Sequence, residues 1–246
     1  MPDYFSTQAT TYATFRPTYP RALFEFVAST APRRALAWDC GTGNGQAAVA
    51  LADDFDRVIA TDTSAKQLAQ ATPHPRIDYR LAPAESSALP DRAADAVTVA
   101  QALHWFDVAR FYAEARRVLV PGGLIAVWTY NDAVLDDAGL DRHLRRFDRE
   151  VVGPYWPAER QLVRDGYRTL PFPFAPVATP ELLLVREWTL AEVAGYVRSW
   201  SATVRYTTEH GTDPVVAFEA DVAREWGDPA TRRVIRWPLV VLAGHT

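Results

Sequence analysis

The run Ala35-Leu36-Ala37-Trp38-Asp39-Cys40-Gly41-Thr42-Gly43-Asn44-Gly45, answered by an acid at Asp62, constrains this chain more than any other feature. An apolar strand enters three glycines at alternate positions, which let backbone approach a ligand and turn sharply into a helix. The acid follows a second apolar run, about 20 residues beyond the turn, where nucleotide-binding βαβ units grip a ribose diol. Only a parallel sheet with crossover helices accommodates that order of elements.

The rest of the chain continues the alternation. Pro20–Thr30 reads as a helix, Ala35–Asp39 as a buried strand, Gly45–Asp54 as an alanine-rich helix and Arg57–Asp62 as a second strand. A helix that Thr63 or Ser64 can cap ends at Pro73, and Arg76–Ala82 is a third strand. Asp95–Gln101 is almost wholly apolar, as a central strand covered on both faces must be. Phe106–Leu119 is a helix stopped by Pro121-Gly122-Gly123, before a fifth strand over Leu124–Tyr130. Residues 133–170 have helical period, and a proline-rich loop runs from Leu170 to Pro180. Glu181–Trp188 reads as a strand, Thr189–Ser201 as a helix boxed by Thr189 and Glu192, Asp213–Trp226 as a helix and Arg233–Leu242 as the last strand.

The expected fold is therefore α/β, a Rossmann-like doubly wound, mostly parallel, seven-stranded sheet within one domain of residues 1–246. Residues 1–30 form an N-terminal lid and helix, 31–130 a cofactor-binding core, 131–232 a helical cover with strand six, and 233–246 the final strand.

The loop's chemistry narrows the ligand. A dinucleotide fingerprint wants glycine where this chain has Gln46, and it holds a pyrophosphate on backbone N–H groups. A carboxylate at Asp39 repels phosphate and suits a cation. S-adenosylmethionine, with adenosine, sulfonium and ammonium but no phosphate, matches better than NAD.

The composition excludes several partner classes. The 246 residues carry a net charge of −4 without a basic run, which argues against nucleic acid. No apolar stretch reaches about 18 residues, and the first residues lack the features of a secretory signal, so a cytoplasmic protein with no membrane partner is expected. The single cysteine, Cys40, forms no multi-cysteine metal site, and no metal is expected.

Four segments in order carry a resemblance: Asp39–Gly45, Ala84-Glu85-Ser86-Ser87-Ala88-Leu89-Pro90, Ala100-Gln101-Ala102-Leu103-His104-Trp105-Phe106-Asp107, and Arg117-Val118-Leu119-Val120-Pro121-Gly122-Gly123. On these the chain resembles the class I S-adenosylmethionine-dependent methyltransferases. Within them it is similar to the small-molecule group that includes the trans-aconitate and cantharidin methyltransferases. Tyr12–Pro20 and Trp200-Ser201-Ala202 also look like this subgroup.

The resemblance implies that Gly41, Gly43 and Gly45 pass under the methionine half of the cofactor, with Asp39 organising the loop and favouring the ammonium. Asp62 would hold the ribose, Ala84 and Glu85 would border the adenine, and Gln101 would face the methionine. Where the family often has an aspartate beside the adenine amine, this chain has Pro83 or Ala84, which shifts that contact to backbone groups. Tyr12 would belong to the lid and Arg16 would pair with the cofactor carboxylate. His104, just past a strand's carboxyl end, is either a general base for a substrate hydroxyl or a packed histidine. Trp105 either lines the acceptor pocket near the sulfonium or packs at a helix start. Trp156, Arg160, Arg164, Trp200 and Arg205 are candidate acceptor contacts, arginine suiting a carboxylate.

The implied reaction is methylation of a small molecule at a carboxylate or hydroxyl by a monomer or homodimer. The alternatives are a non-catalytic S-adenosylmethionine-binding regulator, a methyltransferase of a protein substrate, and a Rossmann oxidoreductase using NAD.

Overall fold

A computed structural model describes residues 17–246. The lid residues Tyr4, Phe5, Tyr12, Phe15 and Arg16 lie outside the described residues. Tyr19, the last aromatic of that stretch, packs edge-on against Phe24 and Trp128 with ring centroids 6.4 and 5.7 Å apart.

The strands are β1 (Leu36–Cys40), β2 (Arg57–Asp62), β3 (Ile77–Leu81), β4 (Ala94–Ala100), β5 (Leu119–Tyr130), β6 (Val134–Leu135), β7 (Ala175–Pro176), β8 (Leu182–Trp188) and β9 (Arg233–His245). The main path runs β3-β2-β1-β4-β5-β9-β6, with β7 and β8 also beside β9. Strands β1 to β5 are parallel and β9 runs antiparallel to β5, which makes the sheet Rossmann-like and mostly parallel, as the alternation predicted. Burial explains the order. Along β4 every residue from Ala94 to Val99 is buried, the signature of a strand covered on both faces.

The helices are α1 (Arg21–Thr30), α2 (Gln46–Leu51), α3 (Ala65–Leu68), α4 (Val108–Val118), α5 (Ala138–Arg146), α6 (Arg160–Arg164), α7 (Leu190–Arg198), α8 (Ser201–His210) and α9 (Val215–Trp226). Two compact units result. One joins Thr18–Asn131, Gln161–Leu182 and Leu239–Thr246, and holds β1 to β5 with α1 to α4. The other includes Asp132–Arg160 and Leu183–Pro238 and holds α5 and α7 to α9. In the second, Tyr196 and Trp188 both pack edge-on against Trp237, whose Nε1 donates to the Tyr196 hydroxyl at 2.9 Å.

Local chemistry sets the element ends. The Thr189 hydroxyl accepts from Glu192 N while the Glu192 carboxylate accepts from Thr189 N, the expected capping box. Ser64, not Thr63, caps α3.

Three local expectations fail. β5 begins at Leu119 and carries Pro121-Gly122-Gly123 within it. Leu119 pairs with Ala94, and a register shift before Ala96 absorbs the turn residues as a bulge. The proline-rich loop contributes β7, Ala175 opposite His245 and Pro176 opposite Gly244. Proline is tolerated there because an edge position need not donate on both sides. Helix α8 went unread because Thr203, Val204, Thr207 and Thr208 lower its propensity. Trp200, Ala202 and Thr203 are nonetheless buried, and Gly211 terminates α8 in a left-handed conformation.

Candidate functional site

Strand order reverses between β1 and β4, since β2 and β3 lie on one side and β5 on the other. In open α/β sheets the crevice at such a switch point, beyond the strands' carboxyl ends, is where ligands bind. Asp39 stands at that point. It is opposite Thr98 in register, and its Oδ1 accepts from the Thr98 hydroxyl at 2.9 Å. Its Oδ2 accepts from the Thr42 hydroxyl at 2.6 Å, so one carboxyl group ties β1, β4 and the glycine loop together. The residue is fully buried, and desolvation pushes its pKa up to about 6, against the two hydroxyl hydrogen bonds and with a contribution from Asp62. Thr98 is a partner the sequence reading did not name; its position two residues before the end of β4 is the only signal.

The loop is held by backbone. The N–H groups of Gly41 and Thr42 both donate to Thr61 O, at 2.8 and 2.9 Å, and Gly45 N donates to Thr42 O. Asp62, at the end of β2, accepts from Gly43 N through Oδ2 and from Ser64 N through Oδ1, each at 2.8 Å. The acid thus links both strand ends while remaining partly accessible.

The three glycines all have positive φ, but their surroundings differ. A Cβ on Gly41 would meet Ala102 and Phe106, and one on Gly45 would meet Tyr79, whereas one on Gly43 would meet nothing within 4 Å among the described residues. Cys40 is buried between these groups, and burial pushes its thiol pKa up, which leaves it an inert packing residue.

The loop after β3 is clamped twice. The Glu85 carboxylate accepts from Asp107 N at 2.8 Å, and neighbouring Ala84 is buried. Buried Ser87 donates through both N and Oγ to Glu114 Oε1 of α4, at 2.8 and 2.6 Å. Arg117 completes the clamp by donating twice to Glu114 and once to Leu89 O. Arg117 and Ser87 hold the Glu114 carboxyl down at a pKa of about 2. Sequence reading missed this cluster, because its only local trace is an ordinary i,i+3 charge pair.

Gln101, directly after β4, has a left-handed conformation, φ +56°. Its Oε1 accepts from the Thr129 hydroxyl and from Tyr130 N at 2.7 and 2.9 Å, which fixes the strained residue against β5. His104 and Trp105 follow in the helical turn Leu103–Trp105, their rings 4.7 Å apart. His104 Nδ1 lies 2.8 Å from the hydroxyl of Tyr167, a residue the sequence reading passed over.

Of the other candidates, Tyr12 and Arg16 lie outside the described residues, and Arg164 closes α6. In the second unit, the Arg160 guanidinium lies 4.8 Å over the Trp156 ring and pairs with Asp132. Its buried Nε has no hydrogen-bond partner among the described residues. Trp156 Nε1 donates to buried Asp148 at 2.9 Å, and Trp156 packs on Trp200. Arg205 donates to Tyr155 O.

The sequence pattern of a family described as a methyltransferase domain matches residues 38–127, the stretch that runs from within β1, through β2 to β4, into β5. A Dictyostelium discoideum protein described as a methyltransferase is 34% identical over 203 residues, spanning 81% of this chain and 77% of that one. A Saccharomyces cerevisiae protein described as an S-adenosylmethionine-dependent methyltransferase is 24% identical over 242 residues, 84% of this chain and 83% of its own length. A solved structure from Anaeromyxobacter dehalogenans, described as a type II methyltransferase, superposes with a TM-score of 0.88 at 41% identity, covering 94% of this chain and 98% of that one.

Proposed function

This chain belongs to the class I S-adenosylmethionine-dependent methyltransferases, and from that premise we propose that it methylates a small molecule at a carboxylate or hydroxyl oxygen. The observation that carries the cofactor half is Gly43, whose left-handed backbone has open space where a Cβ would stand and whose N–H is held by Asp62. Among the described residues no packing contact demands a glycine there, and only its left-handed backbone disfavours a side chain. The donor set fits the cofactor as well: a partly accessible carboxylate at a strand end for a diol, and a buried carboxyl nearby to favour a cation. S-adenosylmethionine supplies, when bound, an electrophilic methyl group on a positively charged sulfur.

The chain's residues then have these assigned tasks. Asp62 accepts from the ribose hydroxyls beside the N–H groups it already holds. Asp39 keeps the loop in place and contributes negative charge. Ala84 and Glu85 border the adenine on a loop that Ser87 and Glu114 hold rigid. Gln101 borders the methionine end, and His104 and Trp105 stand where strand β4 delivers the acceptor. The lid assignment of Tyr12 and Arg16 falls outside the described residues, and residues 131–232 are assigned acceptor specificity. The protein's main contribution is alignment in a site from which water is excluded, because methyl transfer consumes charge and gains little from a polar surround.

Arg160 is the candidate contact for a carboxylate acceptor, since beside its pair with Asp132 its buried Nε–H has no partner among the described residues. We assign no nucleic-acid or membrane partner, a cytoplasmic location, and a monomeric or homodimeric state. Among the described residues no helix is long and apolar enough to cross a membrane.

The test is transfer of a labelled methyl group to a panel of small carboxylic acids and phenols. Label recovered as an ester or aryl ether supports the reading. Tight cofactor binding with no labelled product would favour a regulator, and label in added protein would favour a protein substrate.

A further inference from the structure

Tyr167 is carried to His104 by an unusual piece of backbone. Gly166 and Tyr167 both adopt left-handed conformations, φ +59° each, and a bulky aromatic seldom does so without a reason. The surroundings enforce it. The N–H groups of Gly166 and Tyr167 donate to Val163 O and Leu162 O, Leu170 N donates to Tyr167 O, and the Val240 side chain lies 3.1 Å from where a Gly166 Cβ would be. Tyr167 is 1% exposed, its ring lies 6.0 Å from the imidazole, and its hydroxyl is 2.8 Å from His104 Nδ1.

The proton in that contact has a preferred owner. A phenol ionises near pH 10 and an imidazolium near 6.5, so the phenol O–H is the stronger donor and the imidazole nitrogen by far the stronger acceptor. A neutral imidazole has one nitrogen of each kind. If Nδ1 accepts from Tyr167, the ring proton sits on Nε2, and the basic lone pair is already occupied.

We propose that Tyr167 is a positioning residue that fixes His104 in the Nε2–H tautomer, so that His104 serves as a hydrogen-bond donor and the acceptor is a carboxylate. The second half rests on the methyltransferase reading above. Methylating a carboxylate forms a C–O bond and breaks the donor's C–S bond, whose electron pair stays on sulfur; no proton is released. Methylating a hydroxyl releases a proton that a base must take, and His104 cannot take it without breaking its bond to Tyr167. Of the two acceptor classes, the tautomer selects the one that arrives ionised.

Long-range proton–nitrogen NMR on the full-length, nitrogen-15-labelled protein, above the range in which imidazoles titrate, reads the tautomer directly. His104→Gln assigns the signal among the 5 histidines. The expected result is a proton on Nε2, with the Nδ1 resonance of His104 moving toward that of an unbonded pyridine-type nitrogen in Tyr167→Phe. A proton on Nδ1, or an Nδ1 resonance identical in wild type and Tyr167→Phe, would overturn the proposal. If the variant does not fold, the wild type alone still tests the proposal: a proton on Nδ1, or an Nδ1 resonance at the position of an unbonded pyridine-type nitrogen, overturns it, and an Nδ1 resonance displaced by hydrogen bonding supports it. Titrating the same wild-type sample with S-adenosylhomocysteine separates the two readings. Absence of binding would remove the methyltransferase cofactor site, and the acceptor class with it, while the tautomer result would stand.

Discussion

An added Cβ would lie 2.7 Å from Ala102 Cβ at Gly41 and 2.4 Å from the Tyr79 hydroxyl at Gly45, so neighbouring side chains crowd both positions. Gly43 meets no such contact among the described residues. Its φ of +58° disfavours side chains by about 1–2 kcal/mol, a cost the fold can absorb. Gly43→Val is therefore expected to remain folded, with modest loss in urea unfolding, and to lose S-adenosylhomocysteine binding by at least tenfold in calorimetry. A folded variant with wild-type affinity would take Gly43 out of the cofactor loop. At this scale the sequence was informative where chemistry is local. Glycines at alternate positions and an acid after the next strand need no tertiary knowledge to interpret. Thr98 beside Asp39 and Tyr167 beside His104 do, because each partner lies about 60 residues away and nothing nearby marks it.

Helix α4 is an element whose task exceeds its burial. Its inner face, Phe111, Tyr112, Ala115 and Val118, packs in the core, and Glu114 and Arg117 hold the loop after β3. The Glu114 carboxyl is depressed in the folded state to about 2 from an ordinary value of 4.5, so its contribution is present above about pH 4.5 and lost as pH falls toward 2. That difference corresponds to about 3 kcal/mol at neutral pH. Unfolding free energies of wild type and Glu114→Gln should differ by up to that amount at pH 7 and converge at low pH; a gap independent of pH would show that Glu114 acts through packing. Elements with a strong local signal, such as α7 with its Thr189–Glu192 box, could be read directly. Helix α8 could not, since its threonines and valine favour extended backbone and only burial of one face holds it helical.

For the whole molecule, hydrophobic patterning specified the parallel sheet, because strands buried on both faces and separated by amphipathic helices admit few other topologies. Short edge pairings such as β6 and β7 escaped it, since two residues carry no period. The second unit's aromatic and arginine clusters were visible only as a list of residue types until Trp156, Arg160 and Asp148 were brought together. The switch-point loop makes the most direct claim about what the chain does, and calorimetric titration of the purified protein with S-adenosylhomocysteine, with NAD as control, tests it. Micromolar binding of the first and none of the second is predicted; a folded protein that releases no binding heat with S-adenosylhomocysteine would contradict it.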